Sequence, residues 1–583
     1  MEETKNMNQE TKRKPSVEKP WLKYYPKESV EMELPKCSIY SYLKECSKNN
    51  MDDPAIHYYG RTMTARELLH KIDETANAFA ALGVKAGDIV AMVTVHVPES
   101  ICVIYALNKI GAIPTIIDPR YNLEGIEFMI KDGNARFVFV IDLAFPKIKK
   151  IMQNLNFEKV IVESAADSLT GIKRFAYKLS NKTEIPYDDV VIKWRDFIAM
   201  GKGHCAAEAE YEEGSVAAIT STSGTTGFPK GVMITNDGMN AVSVNFSHAG
   251  LDYERGHRFL DIMPIFSSYG VVCGIHMSLT MGLETVLIPK FVPSTIGALV
   301  KKYKPNHMLG VPSFYEMLMS SKEMRGFDLS FFRMLGSGGD TMNAALEEKL
   351  TEFLESHNAK YPIAQGYGMS EVSAAASFCF NEMYKPRSVG IPCLTTTISV
   401  FEPGTTNELG YGQDGELCIT GASIMKGYYN NPEETAKSKV LHPDGQYWIH
   451  SGDIGCIDED GFVFINGRVK HMVIRFDGHK IFPVQIQSVI ARDERVSNCG
   501  VVGVADRDHA QGDYPLAIVE YKKEMVSDEE AFRKELMELC DNSLEERGRP
   551  IDVVFVEELP LTAMGKIDVV ALSKEYKDYD YRR

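Results

Sequence analysis

At 583 residues, with 44% hydrophobic and 25% charged content, the chain is globular in composition and too long for one ordinary core; roughly three or four structural units are expected. A formal net charge of -16 argues against nucleic acid or an anionic membrane surface as the main partner, so a polyanionic ligand must be met by local clusters of donors. The 11 scattered cysteines include no Cys-x-x-Cys pair, and the start Met1-Glu2-Glu3-Thr4-Lys5 is polar, so neither a zinc framework nor a signal peptide is expected and a reduced, cytoplasmic setting is.

Residues 1–20 are polar and charged, and a loosely attached or disordered tail is expected there; foldable sequence begins at Trp21-Leu22-Lys23-Tyr24-Tyr25-Pro26. A long helix follows Thr64, where Thr64 and Glu67 have capping-box spacing and Leu68, Leu69, Ile72, Ala76 and Phe79 form one apolar face ending at Gly83. Strand is then expected at 89–95, helix at 100–110, strand at 113–117, helix at 123–132 and strand at 136–141. This alternation predicts an α/β fold, a large domain with parallel-rich sheets whose function sits at loops beyond the strand ends. The most apolar stretch, 270–288, carries His276 and Glu284 and reads as a buried helix and strand, with no transmembrane segment expected.

The run Thr220-Ser221-Thr222-Ser223-Gly224-Thr225-Thr226-Gly227-Phe228-Pro229-Lys230-Gly231 carries the chemistry. Glycines let backbone N–H groups turn toward an anion, hydroxyls add donors and Lys230 adds a charge, which describes a phosphate cradle. Composition alone would make it a flexible linker. Pro229 before Lys230 and Gly231 after it exclude a Walker loop, and Val232-Met233-Ile234-Thr235 continues as strand.

Further turns follow apolar strands. Residues 261–270 run from strand into a proline-containing turn, and Met334-Leu335-Gly336-Ser337-Gly338-Gly339-Asp340 ends in glycines that let backbone approach a flat ligand. In Gln365-Gly366-Tyr367-Gly368-Met369-Ser370-Glu371, a ring can stack on a purine, a hydroxyl can reach a phosphate and a carboxylate can hold a hard cation. Segments 388–392, 415–421 and 426–433 read as a β-rich subdomain without chemistry of their own. In His450-Ser451-Gly452-Asp453 the carboxylate can accept two ribose hydroxyls, with Arg468 available beside it. The C-terminal stretch has strand signals at 501–504, 516–521 and 553–556 and a helix over 528–539, enough for a small α+β domain.

Ser223-Gly224-Thr225-Thr226-Gly227-Phe228-Pro229-Lys230-Gly231 resembles the signature loop of the adenylate-forming superfamily, which includes acyl-CoA synthetases, peptide-synthetase adenylation domains and beetle luciferases; the likeness runs over 21–572. It implies that Thr222, Ser223, Gly224, Thr225, Thr226, Gly227 and Lys230 close over ATP phosphates and that Gly338 and Gly339 wall the adenine. Gly366, Tyr367 and Gly368 would seat the base, Ser370 the α-phosphate, Glu371 a Mg2+ ion, and Asp453 with Arg468 the ribose. Ser370 stands for the family's Thr, and Asp340-Thr341 for its Ala-Pro. Phe266, Ser267, Tyr269 and Gly270 would line the acyl pocket, with Ser267 where the family has His; 240–246, 267–271 and 311–313 are further pocket candidates. Lys470 matches the hinge between an adenylation domain, 21–469, and a mobile C-terminal domain, 470–583. Gly478 would line the thiol route, in a segment one residue longer than the usual pattern, and Lys566 matches the catalytic lysine. The implied reaction uses ATP and Mg2+ to turn a carboxylic acid, fatty or otherwise apolar, into an acyl-adenylate, then passes the acyl group to CoA. A separate carrier protein as acceptor, a non-catalytic binding protein and luciferase-type oxygenation stay open as alternatives.

Overall fold

Thr64 opens the helix Ala65–Ala81: its hydroxyl accepts from the Glu67 N–H at 3.2 Å, and the Glu67 carboxylate accepts from the Thr64 N–H at 3.0 Å. Leu68, Ile72, Ala76 and Phe79 are buried along one face, as the spacing requires. The structure, a computed structural model, describes residues 13–181, 183–222, 229–381, 383–477, 479–509, 511–561 and 567–582. Strands Ile113–Ile117 and helix Leu123–Asp132 have the expected bounds. The strand from Ile89 stops at Val93, and the next helix begins at Pro98, because proline fits the first helical turn, where its missing N–H is not needed.

The βαβ alternation builds two large sheets. In the first, eight strands, the neighbours Val216–Thr222, Ile113–Ile117, Ile89–Val93, Phe137–Ile141, Lys159–Glu163 and Val191–Lys193 run parallel, and Lys230–Thr235 adds an antiparallel strand beside Val216–Thr222. In the second, nine strands, Ala364–Tyr367, Met334–Ser337, His307–Gly310, Arg258–Asp261 and Glu284–Leu287 lie parallel in that order. A five-stranded antiparallel sheet follows, with Gly415–Gly421 and Tyr447–Ile457 at its centre and Thr396–Phe401 at one edge. Beyond Lys470, the strands Val496–Ala505, Asp513–Tyr521 and Asp552–Val556 pack on the helices Pro483–Ile490, Glu529–Ser543 and Val569–Glu575, around apolar clusters drawn from residue 473 onward.

Residues 13–20 depart from the expectation of a loose segment. Lys14 Nζ donates to the Glu408 carbonyl at 2.7 Å, the Ser16 hydroxyl donates to the Glu408 carboxylate at 2.8 Å, and Trp21 just beyond is buried. A polar segment holds here because it satisfies acceptors beside the five-stranded sheet rather than by burying apolar area. The 270–288 stretch is the expected buried helix and strand, but the helix Tyr269–Met277 is of the wide π type, a form that recurs at functional sites. Among the described residues, no helix is long and apolar enough to cross a membrane.

Candidate active site

A cleft of about 3970 Å³ opens where the parallel strands of the second sheet end, between the large sheets, the five-stranded sheet and the C-terminal unit. That exceeds the few hundred to about 1,000 Å³ of an ordinary small-molecule site, so it has room for more than one ligand.

On one side, the strands Val216–Thr222 and Lys230–Thr235 pair up to Thr222 opposite Lys230, so the hydroxyl and the lysine stand together at the cleft edge. Ser223, Gly224, Thr225, Thr226 and Gly227 lie outside the described residues. Lys230 Nζ is 2.6 Å from Glu434 Oε2 and 4.8 Å from the centre of the Tyr428 ring. The hydrogen bond from Lys230, followed by that from Lys437, holds the Glu434 carboxyl down at about 2. The Tyr428 hydroxyl donates to Glu371 Oε1 at 2.6 Å. One phenol thus touches both the predicted phosphate lysine and the predicted metal carboxylate. Tyr428 lies in the 426–433 segment and Glu434 in the helix Pro432–Ser438, a region expected from sequence to be structural only.

The residues expected to meet the base rise from two parallel neighbours, with Ser337 opposite Gln365. Gly366 and Tyr367 close the second strand, Gly338, Gly339 and Gly368 lie just beyond the strand ends, and all five line the cleft. Gly339 has φ +78°, and a Cβ on Gly368 would stand 1.8 Å from the Ala374 carbonyl oxygen. The loop after Tyr367 therefore folds back so tightly that only glycine fits, while Ser373 and Ala374 take left-handed φ of 54° and 88°. Glu371 sits on this tight turn, its carboxylate held by the Tyr428 hydroxyl. The side chains of Ser337 and Gln365 are buried at the cleft wall, and Ser337 Oγ and Gln365 Nε2 have no hydrogen-bond partner among the described residues. Buried polar atoms are rarely left so, and here they offer donors to a ligand. Neither was singled out from sequence.

Tyr367 does not stand alone. Its hydroxyl donates to Asp453 Oδ2 at 2.7 Å, and Arg468 Nε lies 2.8 Å from Asp453 Oδ1. Burial first, then the Asp453 charge, pushes the Tyr367 phenol well up. Asp453 and Arg468 are direct cross-strand partners of Tyr447–Ile457 and Val463–Arg468, so the sheet register makes the pair. Glu416 supports the turn before Asp453, accepting from the Gly452 N–H at 3.0 Å and pairing with His450 Nδ1 at 3.0 Å. Ser370 Oγ lies 2.9 Å from Ser268 Oγ, which joins the loop after Tyr367 to the 261–270 turn.

Of the expected acyl-pocket residues, Phe266, Ser267 and Tyr269 line the cleft. Ser267, standing where a His is usual, donates to the Pro264 carbonyl at 2.7 Å and accepts from the Gly270 N–H at 3.0 Å. These two bonds tie the turn to the first residues of the π helix. Gly270 lies just behind the wall, where a Cβ would come within 2.0 Å of the Pro264 oxygen. The expected lining by 240–246 is corrected: of these only Phe246 reaches the cleft. The helix Asn236–Ser247 is buried nearly all round, and its polar residues are used inside, Asn240 on Cys37 and His276, and Ser243 on Thr280. Val311, Pro312 and Ser313 do line the cleft. So does Arg120, which forks onto Asp118 and lies 5.0 Å over the Phe266 ring, a contact with no sequence signal.

From the C-terminal side, Lys470 and His471 line the cleft, and burial, then Arg468, lowers the His471 imidazole. Gly478 and Lys566 lie outside the described residues. Leu561 and Ile567, which flank the Lys566 segment, form a bridge, and Ile567 and Asp568 line the cleft. None of the 11 cysteines is disulfide-bonded.

Comparison with known proteins agrees over almost the full length. The AMP-binding enzyme family matches residues 43–429 and the AMP-binding enzyme C-terminal domain matches 485–566. The chain is 29% identical over 564 residues to a long-chain-fatty-acid–CoA ligase of Bacillus subtilis (strain 168), covering 94% of this chain and 97% of that protein. It is 28% identical over 520 residues to a probable 4-coumarate–CoA ligase 1 of Dictyostelium discoideum, covering 87% and 89%. Its fold is shared with the anthranilate CoA ligase AuaEII in complex with anthranoyl-AMP, at TM-score 0.79 and 21% identity over 94% of this chain and 99% of that one. ATP-bound MatB from Rhodopseudomonas palustris gives TM-score 0.78 at 23% identity, over 93% and 99%. With both halves matched in order and the cleft lying between them, the chain belongs to the AMP-binding enzyme family, as an adenylate-forming ligase of the acyl-CoA synthetase kind.

Proposed function

We propose that the enzyme activates a fatty or other apolar carboxylic acid with ATP and transfers it to CoA. The observation that carries this reading is the mixed lining of the cleft, which combines Lys230, Ser370, Glu371 and the Asp453–Arg468 pair with the apolar side chains of Phe246, Phe266, Tyr269 and Val311. The long-chain-fatty-acid–CoA ligase and the probable 4-coumarate–CoA ligase reported above are named for acids with an apolar body, which supports the reading.

Attack of a carboxylate oxygen on the α-phosphorus brings two anions together, forms the acyl–O–P bond and expels pyrophosphate. Lys566 would sit between them as a fixed cation, and Lys230 with the Ser223–Gly227 loop would take the charge of the leaving phosphates. Glu371 offers a single carboxylate already held by Tyr428, which suits Mg2+, an ion that takes most of its ligands from water and substrate phosphates. Bound there, Mg2+ would supply charge neutralisation on the phosphates. Ser337 and Gln365 would meet the base, Tyr367 its ring face, and Asp453 the ribose, with Arg468 beside it. A thiolate then attacks the acyl carbonyl, forming the thioester and releasing AMP. Turning about Lys470 would withdraw Lys566 after the first step and bring the Gly478 segment to the thiol route.

Acid-dependent exchange of labelled pyrophosphate into ATP, over fatty, aryl and amino acids, tests the reading; CoA is then added to the best acid. Exchange with an apolar acid, lost in Lys566→Ala and followed by acyl-CoA, is the expected result. Exchange only with polar or amino acids would refute the acid assignment. Thioester formation surviving Lys470→Pro would refute the hinge.

A further inference from the structure

A histidine and an aspartate meet at the cleft, one from each of the two large sheets. Past the strand Ile89–Val93 the chain runs through Val95 and His96, both of which line the cleft, before Pro98 opens the next helix. The strand Arg258–Asp261 ends on Asp261, and Ile262 and Met263 after it line the cleft too. His96 Nε2 lies 3.1 Å from Asp261 Oδ2, and the two residues are 3% and 1% exposed. Among the described residues, His96 Nε2 and both Asp261 oxygens have no hydrogen-bond partner. The π helix Tyr269–Met277 leaves room for the carboxylate, since a Cβ on Gly274 would stand 2.8 Å from Asp261 Oδ1. Tyr269 and Cys273 of the same helix, and Phe266 before it, line the cleft, so the pair belongs to the wall that holds the expected acyl-pocket residues.

A structural tie accounts poorly for this pair. Buried polar atoms are rarely left without hydrogen bonds, and well-packed apolar side chains of similar volume would join the two sheets at least as well as an ion pair. A third group that bonds to the ring completes the arrangement. The carboxylate orients the imidazole, and the ring is then a polar element beside the apolar side chains of Ile262, Met263 and Phe266. A hydroxyl suits it, because a hydroxyl both donates and accepts and so pairs with the imidazole whichever nitrogen holds the proton. A second carboxylate on the acid would be repelled by Asp261. An ammonium would find the ring between itself and Asp261, which does not line the cleft.

We propose that His96, positioned by Asp261, is a specificity-determining residue that bonds a hydroxyl carried on the body of the acid, so that the preferred substrate is a hydroxylated apolar acid rather than a plain one. This rests on the apolar-acid reading above and narrows it.

Matched acids test it in pyrophosphate exchange with the full chain: cinnamate against its para-hydroxy form, and hexadecanoate against its ω-hydroxy form. At least one hydroxylated acid should exceed its plain counterpart by about tenfold or more in kcat/KM, because the analogue without the hydroxyl leaves the site's buried polar atoms unpaired. His96→Phe keeps a ring and removes both nitrogens; it should bring that ratio to about one or below, mainly through KM for the hydroxylated acid, with KM for ATP unchanged. Asp261→Asn, of the same shape, should lower the ratio part of the way. Each ratio is taken on one preparation, so a partly unfolded variant lowers both rates alike and cannot imitate the effect. A ratio near one in every pair for the wild type, or a preference that survives in His96→Phe, would overturn this proposal and leave the apolar-acid reading standing. Exchange with neither member of any pair would overturn both.

Discussion

Replacing Glu434 by Gln should tighten ATP binding. In the structure Lys230 is engaged by Glu434 at 2.6 Å, and the two side chains are only 16% and 27% exposed, so the lysine must give up this partner to reach a phosphate. The Glu434 carboxyl is lowered from 4.5 to about 2, first by the Lys230 hydrogen bond and then by Lys437. At about 1.36 kcal/mol per pH unit, that fall caps the pair near 3.4 kcal/mol. The share of Lys437 and solvent screening leave about 1 kcal/mol for Lys230. Gln keeps a neutral hydrogen bond and removes the charge, so KM for ATP in pyrophosphate exchange should fall about fivefold, with kcat little changed. The folded pKa lies below the unfolded one, so the pair's contribution is present above about pH 4.5 and is lost as pH falls toward 2. At neutral pH the wild-type pair is therefore fully formed, and a double-mutant cycle with Lys230→Ala should return a coupling of about 1 kcal/mol. An unchanged or raised KM for ATP would show that Lys230 keeps Glu434 when nucleotide binds, or does not meet phosphate at all.

Tyr428→Phe removes the 2.6 Å bond to Glu371 and should raise the Mg2+ concentration for half-maximal exchange about fivefold to tenfold, at about 1–1.5 kcal/mol for one hydrogen bond; an unchanged Mg2+ titration would count against Glu371 as the metal carboxylate. Gly270→Ala puts a methyl 2.0 Å from the Pro264 oxygen, so the wall carrying Phe266 and Ser267 must shift by about an ångström. A stability loss of about 1–3 kcal/mol is expected by chemical denaturation. KM for the acid should rise while KM for ATP holds; a normal acid KM would remove this turn from the acid site. Burial lowers the imidazoles of His276 and His307 from 6.5 to about 3. The unfolded chain takes up those protons first, so stability is full above pH 6.5 and should fall by about 1.4 kcal/mol per pH unit per histidine as pH drops toward 3. Urea midpoints at about pH 7 and 5.5 measure this, and a flat profile would mean that the two rings are not held neutral.

Local features were legible because their causes are local. The Thr64 cap, the period of Leu68, Ile72 and Phe79, and the strand-and-helix alternation depend on residues a few positions apart. Motif chemistry was legible for the same reason: the glycine-and-hydroxyl loop before Lys230, the Gly366–Gly368 turn and the Asp453 turn each keep donors and acceptors within one short stretch. Residues 240–246 suit a pocket and a core equally, being small or apolar, and in the structure they belong to the buried helix Asn236–Ser247. Only packing on every side distinguishes the two.

The sequence by itself determined the class of fold, the residue types available to phosphate, base, ribose and metal, and the family to which they belong. Tertiary structure decided which of them meet. Lys230 meets Glu434 across 204 positions, Tyr367 meets Asp453 across 86, and Ser268 meets Ser370 across 102. It also brought His96 to Asp261 from the ends of strands in different sheets. Such contacts follow from strand order and sheet register, which are set by how apolar faces pack over the whole chain, and no short-range pattern carries them.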